Sequence, residues 1–190
     1  LTLRFDLAGK AFAAEGKDMV FCHAEVRDAR GTLVPTNGFP VHFGALGPVQ
    51  LIGPNPMPTE AGVASRLLQS DRARPRCAVF ALALVVKNGR LVPLVAAGCP
   101  DGSPAPKFTL RYSTNGSRPT AHSPRYRQPL PSSASVHVGL FVGDTLVAQV
   151  AAAATPLAGG DASASLAVGI GCPSSTRVDG VAVRSSPSWW

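Results

Sequence analysis

This sequence lacks the short motifs by which most catalytic and cofactor sites are recognised. No Cys-x-x-Cys pair joins any of the four cysteines, and no histidine lies at ligand spacing from them, so no metal site is predicted. There is no Gly-x-Ser-x-Gly elbow for a serine nucleophile. Gly169 and Gly171 are too close together, and followed by Cys-Pro, to form a phosphate-binding loop. We therefore predict no catalytic residue, no metal and no cofactor.

Long apolar runs and a leader segment are also missing. No run approaches the 18 or more apolar residues of a membrane helix, so no membrane partner is expected. The chain begins at Leu1, without an initiator Met or a signal-like segment, which suggests a piece of a longer protein. The net charge of +7 comes from basic residues spread along the chain, which favours a solvated surface over a nucleic-acid site. The nearest approach to a basic cluster is Arg72, Arg74 and Arg76, and further on Arg111, Arg118, Arg125 and Arg127.

Acid–base side chains are few and have ordinary explanations. Of the three glutamates in the chain, we expect one in a loop, one on the outward face of a strand and one in a Pro-rich turn, namely Glu15, Glu25 and Glu60. His23 follows Cys22 on a predicted strand and so points to the opposite face, which excludes a Cys–His couple. The other histidines are expected at surface or edge positions, namely His42, His122 and His137.

What the chain does contain is abundant glycine and proline, 19 and 18 residues, between short segments of period-two alternation. This pattern predicts an all-β protein. Seven strands are expected before residue 96, at residues 1–7, 19–27, 39–43, 49–52, 62–69, 76–86 and 90–95. That number and spacing of strands fit an immunoglobulin-like antiparallel β-sandwich.

Two cysteines fall on the strands that an immunoglobulin-type disulfide joins. Cys22 lies on the second predicted strand and Cys77 on the sixth, both inward by alternation. A bridge between Cys22 and Cys77 is one alternative, and buried free thiols in a reducing cell are the other. Trp189 and Trp190 are the only tryptophans, so the usual tryptophan against such a bridge is missing.

Residues 1–96 resemble a known accessory domain. A Gly-Lys-Asp lead-in is followed by an alternating strand, by VRDARGTLVP, and then by VQLIGP and TEAG. These segments resemble the immunoglobulin-like domain near the C-terminus of family 2 glycoside hydrolases of the β-galactosidase type. The resemblance implies a parent enzyme that cleaves β-galactosides or related β-glycosides through two glutamates on an upstream barrel. Retaining hydrolysis needs two carboxylates about 5 Å apart, and this chain offers no such pair, so we expect no activity from it alone.

A second pattern follows a Pro- and Gly-rich linker at residues 97–106. Residues 107–150 contain YSTNGSRPT, then Ser123, Tyr126 and Pro129. This series resembles the chitobiase/hexosaminidase C-terminal type of small β module, an accessory domain of secreted carbohydrate-active enzymes. Asn115 stands where that pattern commonly has Asp. Residues 151–190 carry little signal beyond one or two strands that pack on the module, and Cys99 and Cys172 could staple that region.

Together these features predict a non-catalytic C-terminal region that acts as a brace or spacer. Its partners would be the catalytic and other domains of a parent enzyme that is exported to the periplasm or the exterior. The alternative is a carbohydrate-binding module of a secreted protein, with Trp189 and Trp190 as candidates for stacking on sugar. A third and weaker alternative is an anion- or nucleic-acid-binding surface.

Overall fold

The computed structural model describes residues 1–12, 18–71, 77–132, 135–153, 166–169 and 181–183. Within these ranges every regular element is a β-strand, and all strand pairings are antiparallel. The strands are β1 (Thr2–Asp6), β2 (Met19–Glu25), β3 (Pro40–Leu46), β4 (Val49–Ile52), β5 (Met57–Pro58), β6 (Val63–Ser70), β7 (Ala78–Lys87), β8 (Arg90–Gly98), β9 (Thr109–Ser113), β10 (Leu130–Pro131), β11 (Val136–Val142), β12 (Thr145–Ala153), β13 (Leu166–Gly169) and β14 (Val181–Val183).

The first two sheets have the strand order of an immunoglobulin constant-type sandwich. Sheet 1 has the order β1-β2-β6-β4, and sheet 2 has the order β10-β8-β7-β3-β5. If β1 to β4 and β6 to β8 are taken as strands A to G, sheet 1 is A-B-E-D and sheet 2 contains C-F-G, as in that fold. The structure therefore confirms an all-β, sandwich-like protein.

A third sheet, β14-β13-β12-β11-β9, covers the other face of sheet 2. One cluster of buried side chains joins sheet 1 to sheet 2, and a second joins sheet 2 to sheet 3. The first cluster includes Cys22, Val41 and Leu68, and the second includes Phe80 and Leu140. Sheet 2 is thus the middle of three layers, with a hydrophobic core on each side.

Strand β7 explains why the middle sheet needs two covers. Its residues from Ala78 to Leu84 are all buried. Successive side chains point to opposite faces, so Val79 and Ala81 lie in the core under sheet 1 while Phe80 and Leu82 lie in the core under sheet 3. A strand that is apolar on both faces is stable only if both faces are removed from water.

Two turns follow from their sequences. Asn88 and Gly89 both have positive φ, 52° and 69°, as a two-residue hairpin turn between β7 and β8 requires. In the turn after β2, the Asp28 carboxylate accepts hydrogen bonds from the backbone amides of Arg30 and Thr32, both at 2.8 Å. Gly31 takes the left-handed conformation there, with φ of 82°.

The predicted strands are confirmed, and two very short ones were missed. Met57–Pro58 pairs with β3 and Leu130–Pro131 pairs with β8, each over two residues. Both contain proline, which removes a backbone donor and gives no strand signal in the sequence. The division into domains 1–96 and 107–150 stays a prediction. The structure adds that side chains of the two segments share one core, because Val136, Val138 and Leu140 pack with Phe80 and Leu82.

Gly44 lets sheet 3 approach sheet 2 closely. A Cβ at this position would lie 2.5 Å from the Val147 carbonyl oxygen and 3.0 Å from Val147 Cγ1. We predict that Gly44→Ala lowers the free energy of unfolding by about 1–3 kcal/mol, because the β12 backbone must move away. Chemical denaturation measures the effect. Gly98→Ala is the control, since its Cβ would meet the end of the Phe5 side chain at 3.1 Å and no backbone atom within that distance. Equal losses in the two variants would contradict the close packing of sheets 2 and 3.

Candidate functional site

Glu25 lies at the end of β2 beneath two arginine side chains. Arg4 Nε donates to Glu25 Oε1 at 3.1 Å, and Arg27 donates to Oε2 through Nε at 2.9 Å and through Nη2. The residue is only 7% exposed. Glu25 lies on the outward face of β2 as its alternation predicted, and the arginine side chains cover it there. Arg27 also donates to the Gly31 carbonyl, so the ion pair fastens the turn after β2.

The environment of Glu25 suits a structural carboxylate and not a catalytic acid. Burial alone raises its pKa, but the hydrogen bonds from Arg27 and Arg4 outweigh burial and lower the pKa below its usual value. A general acid needs the opposite shift. Glu60 lies in a turn where its amide and carbonyl pair with Val63, on a different part of the chain. Glu15 lies outside the described residues.

The three described cysteines are buried free thiols, namely Cys22, Cys77 and Cys99. Cys22 lies in the core between sheets 1 and 2, whereas Cys77 belongs to neither main cluster. Cys77 lies instead at the end of the β7–β8 ladder, beyond the Val79–Gly98 pair. Burial raises the pKa of its thiol, and the charges of Asp101 and Cys99 raise it further. The Cys22–Cys77 bridge is not formed in this structure, and the pairing stays a prediction.

The histidines differ more than the sequence suggested. His23 does face away from Cys22: its Nδ1 lies 2.8 Å from Ser65 Oγ, and its ring stacks on Phe21 at 6.2 Å. His42, however, is 3% exposed, so the prediction of an edge position was wrong. It pairs with Leu82 and so points into the core that sheet 3 covers. Its Nε2 has no hydrogen-bond partner, and burial lowers its pKa to about 4.

The outer face of sheet 3 holds a buried polar cluster. Gly139 pairs with Arg111 on one side and with Gln149 on the other, and His137 is two residues away on the same face. Arg111 Nε, Gln149 Oε1 and His137 Nδ1 are all buried without a hydrogen-bond partner. Burial lowers the pKa of His137, which favours the neutral ring. No carboxylate or thiol stands beside it on the described strands β9, β11 and β12.

The outer face of sheet 1 exposes apolar side chains among polar ones. Met19 and Phe21 on β2 are 59% and 51% exposed. Phe21 is opposite Leu67, and Leu67 is opposite Ile52, so an apolar row crosses the sheet. Polar neighbours flank this row, namely Asp6, His23, Ser65, Gln69 and Gln50. We call this surface the Phe21 face. Exposed apolar patches with polar borders are typical of binding surfaces.

An open cleft of about 360 Å³ lies at the edge of sheet 3. It is lined by Phe108, Thr109, Leu110, Arg125, Tyr126 and Arg127. The segment at 124–127 forms its wall, because Tyr126 donates its amide to the Leu110 carbonyl at 2.8 Å and Tyr112 donates its amide to the Pro124 carbonyl at 3.0 Å. Tyr112 and Tyr126 pack on the core, as predicted. The sequence missed this site because Arg125 and Arg127 looked like two of many scattered arginines.

The turn that precedes the cleft forms as its sequence indicates. Asn115 Oδ1 accepts from the Ser117 amide at 3.1 Å and from the Ser117 hydroxyl at 2.6 Å. Asn therefore serves this turn in place of Asp. The predicted sugar-stacking residues and the fourth cysteine lie outside the described residues, namely Trp189, Trp190 and Cys172.

The geometry defines an all-β, sandwich-like protein, and comparison adds no closer relationship. The chain matches no protein-family model and no curated protein. Across the described ranges, no group of three or more His, Cys, Asp or Glu residues could hold a metal ion. No helix in that part of the chain is long and apolar enough to span a membrane. The resemblance to glycoside hydrolase accessory domains therefore remains a prediction.

Cys22 should be the least reactive of the described thiols. It is fully buried, and burial raises its pKa to about 12. We predict that iodoacetamide labels Cys22 at pH 8 only after unfolding, because the thiolate is the reactive form. Peptide mass spectrometry with and without guanidinium measures this, and labelling in the unfolded chain is the control. If digestion of non-reduced protein instead gives a peptide in which Cys22 is linked to Cys77, the free thiol is contradicted and the predicted bridge is present.

His42 should make the fold sensitive to mild acid. Its folded pKa of about 4 lies below the ordinary value of 6.5, so the unfolded chain binds a proton that the folded chain excludes. His42 does not reduce the free energy of unfolding above pH 6.5. As the pH falls towards 4, burial of this residue lowers that free energy by about 3 kcal/mol at most. Denaturation of the wild type and of His42→Leu at pH 7 and pH 4.5 tests this. A smaller loss is expected in the variant, with the exposed His122→Leu as control. Equal losses in all three proteins would contradict it.

Proposed function

We propose that this chain is a non-catalytic brace or spacer in the C-terminal region of an exported β-galactosidase-like glycoside hydrolase. The observation that carries the proposal is the double coverage of sheet 2. With one core under sheet 1 and another under sheet 3, the middle strands are held from both sides. Close-packed cores resist deformation, so such a stack transmits force and holds a fixed distance between the domains that it joins.

The distribution of carboxylates supports a role without catalysis. Glu25 is neutralised by Arg4 and Arg27, and Glu60 lies in a separate turn. Retaining hydrolysis needs a carboxylate pair about 5 Å apart in which one member has a raised pKa. The active glutamates of the proposed enzyme would therefore belong to its other domains, and the substrates would be β-galactosides or related β-glycosides.

A second candidate function is binding of a neutral glycan on the Phe21 face. Phe21 is half exposed on the outer face of sheet 1 and stacks on His23. Side chains that can hydrogen-bond to hydroxyl groups surround it, including Ser65 and Gln69. An exposed aromatic ring with a few polar neighbours is typical of surfaces that bind small polar ligands. As a brace, the chain would use the same face for contact with a neighbouring domain.

The double variant Met19→Ser, Phe21→Ser separates these two functions. Both side chains are mostly exposed, so we expect the isolated chain to keep its melting temperature within a few degrees. If the face contacts another domain, the variant lowers the melting temperature and the β-galactosidase activity of the full-length protein. If it binds glycan, retention on insoluble galactan falls and the full-length melting temperature is unchanged. Calorimetry and a retention assay measure the two outcomes.

Val86→Ser is the matched control, because Val86 is also an exposed apolar residue, at 40%, on a different sheet. The isolated chain should not hydrolyse chromogenic β-galactosides, and Glu25→Gln should not change that. Hydrolysis by the isolated wild-type chain that Glu25→Gln abolishes would overturn the brace proposal. If the full-length protein that carries the double variant keeps its melting temperature and its activity, the Phe21 face does not contact another domain.

A further inference from the structure

Sheet 3 has a strand edge with which no described strand pairs. The segment at 124–127 lies beside β9, and two backbone hydrogen bonds hold it there. The Tyr126 amide donates to the Leu110 carbonyl at 2.8 Å, and the Tyr112 amide donates to the Pro124 carbonyl at 3.0 Å. The other side of this segment meets no strand in the described part of the chain. We call that side the open edge of sheet 3.

The open edge has free backbone groups at Arg125. Arg125 and Arg111 form an antiparallel bridge, and the two hydrogen bonds that hold the segment come from the residues on either side of them. In such a pair, each residue directs its own N–H and C=O away from the partner strand. The amide and the carbonyl of Arg125 therefore point out from the sheet, where they make no hydrogen bond to a described residue. An unpaired edge of this kind is a template for an incoming strand.

Arginine side chains stand on this edge without a counter-ion. Tyr126 packs on the core between sheets 2 and 3, whereas its neighbours Arg125 and Arg127 are exposed, so both arginines point to the outer face. Neither guanidinium has a hydrogen-bond or ion-pair partner among the described residues. Arg111 adds a third positive charge on the same face, and strands β9, β11 and β12 contain no acidic residue. Like charges directly opposite each other on a sheet are destabilising, and a carboxylate next to Arg125 offsets that repulsion.

We propose that the open edge binds an extended segment of another polypeptide chain, in which acidic side chains alternate with uncharged ones. The backbone of the segment pairs with Arg125. Its acidic side chains lie beside Arg125 and Arg127 on the outer face, at the Cβ separation of roughly 5 Å that is found between paired strands. A spacing of two residues between the acids matches the spacing of the two arginines. Each carboxylate can then accept two hydrogen bonds from one guanidinium.

The same features disfavour the other occupants of a basic edge. A second copy of this chain would bring arginine opposite arginine, and charged side chains on an edge oppose that kind of pairing. Single-stranded nucleic acid binds through its phosphates and stacked bases, and it has no peptide backbone to pair with the amide and carbonyl of Arg125. This inference goes beyond the brace and is independent of the Phe21 face, which lies on sheet 1.

Calorimetric titration of the complete 190-residue chain at physiological salt tests the proposal. The first probe is an end-blocked peptide of five glutamates that alternate with five threonines. The second has glutamine in place of each glutamate. The third keeps the charge but carries a methyl group on each glutamate amide nitrogen, which removes the donors that pair with the Arg125 carbonyl. The fourth is a thymidine oligonucleotide of equal charge. We expect the first probe to bind, and the other three to bind at least about tenfold more weakly.

Hydrogen exchange measured by NMR identifies the edge that pairs. The Tyr126 amide already donates to the Leu110 carbonyl, so its exchange rate should change little when the first probe binds. The Arg125 amide should exchange about tenfold more slowly or less, because binding gives it an acceptor. If the first probe binds and the exchange of the Arg125 amide is unchanged, the peptide does not pair with this edge and the proposal is overturned.

Variants of the arginines supply the matched controls. We expect Arg125→Gln with Arg127→Gln to weaken binding of the first probe by about tenfold. Arg125→Glu with Arg127→Glu should instead bind a peptide of alternating lysine and threonine. Lys10→Gln with Arg30→Gln removes equal charge from other exposed positions and should change affinity less than about twofold. The positions are all exposed, so each variant should keep its melting temperature within a few degrees.

Four results would overturn the proposal. They are an equal loss of affinity in the Lys10 and Arg30 control, equal binding of the glutamine or methylated peptide, tighter binding of the oligonucleotide, and no binding of the first probe at millimolar concentration. None of these results bears on the Phe21 face.

Discussion

The rest of the structure depends on the burial of both faces of strand β7. From Ala78 to Leu84 every side chain is buried, and such a strand cannot lie at the surface of a two-layer sandwich, where one face meets water. Sheet 1 covers one face and sheet 3 covers the other. The large side chains Phe80, Leu82 and Leu84 all point to the sheet 3 side. At roughly 1.5–3 kcal/mol for each fully buried large apolar side chain, coverage by sheet 3 contributes to the stability of the sandwich itself.

Most of the fold could be predicted from local sequence, because strands and turns have local signals. Alternation located the β2 strand, and Asn88-Gly89 located the hairpin. What could not be predicted is what covers each outward side chain. Glu25 faces outward by alternation, yet Arg4 reaches it from a neighbouring strand 21 residues away in the chain. His42 alternates away from sheet 1 and is buried only because sheet 3 lies over it. Burial of these side chains depends on contacts between segments that are distant in the chain. An alternation of period two in one segment does not indicate such contacts.

The candidate binding site was hidden for the same reason. Arg125 and Arg127 are ordinary in a chain with 18 basic residues. They can be distinguished from the other basic residues only when the fold shows which carboxylates lie near each of them. Glu25 is engaged by Arg4 and Arg27 on sheet 1, and Asp144 is the one acidic residue between 107 and 152. The two arginines lie at the edge of sheet 3, whereas the acids that stand on described strands, Asp6 and Glu25, both belong to sheet 1.

The three-layer order also limits where a partner can bind. Both faces of sheet 2 are buried at its centre, so a partner of the described strands must meet the outer face of sheet 1, the outer face of sheet 3, an edge or the exposed end of the β7–β8 hairpin. The first carries an exposed aromatic and apolar row in which Asp6 stands opposite Phe21, and the edge of the third carries two unpaired arginines. Charge screening by salt does not weaken apolar burial, whereas it weakens guanidinium contacts at an exposed cleft. Contacts made by the apolar row of the Phe21 face therefore depend less on salt than contacts made by Arg125 and Arg127.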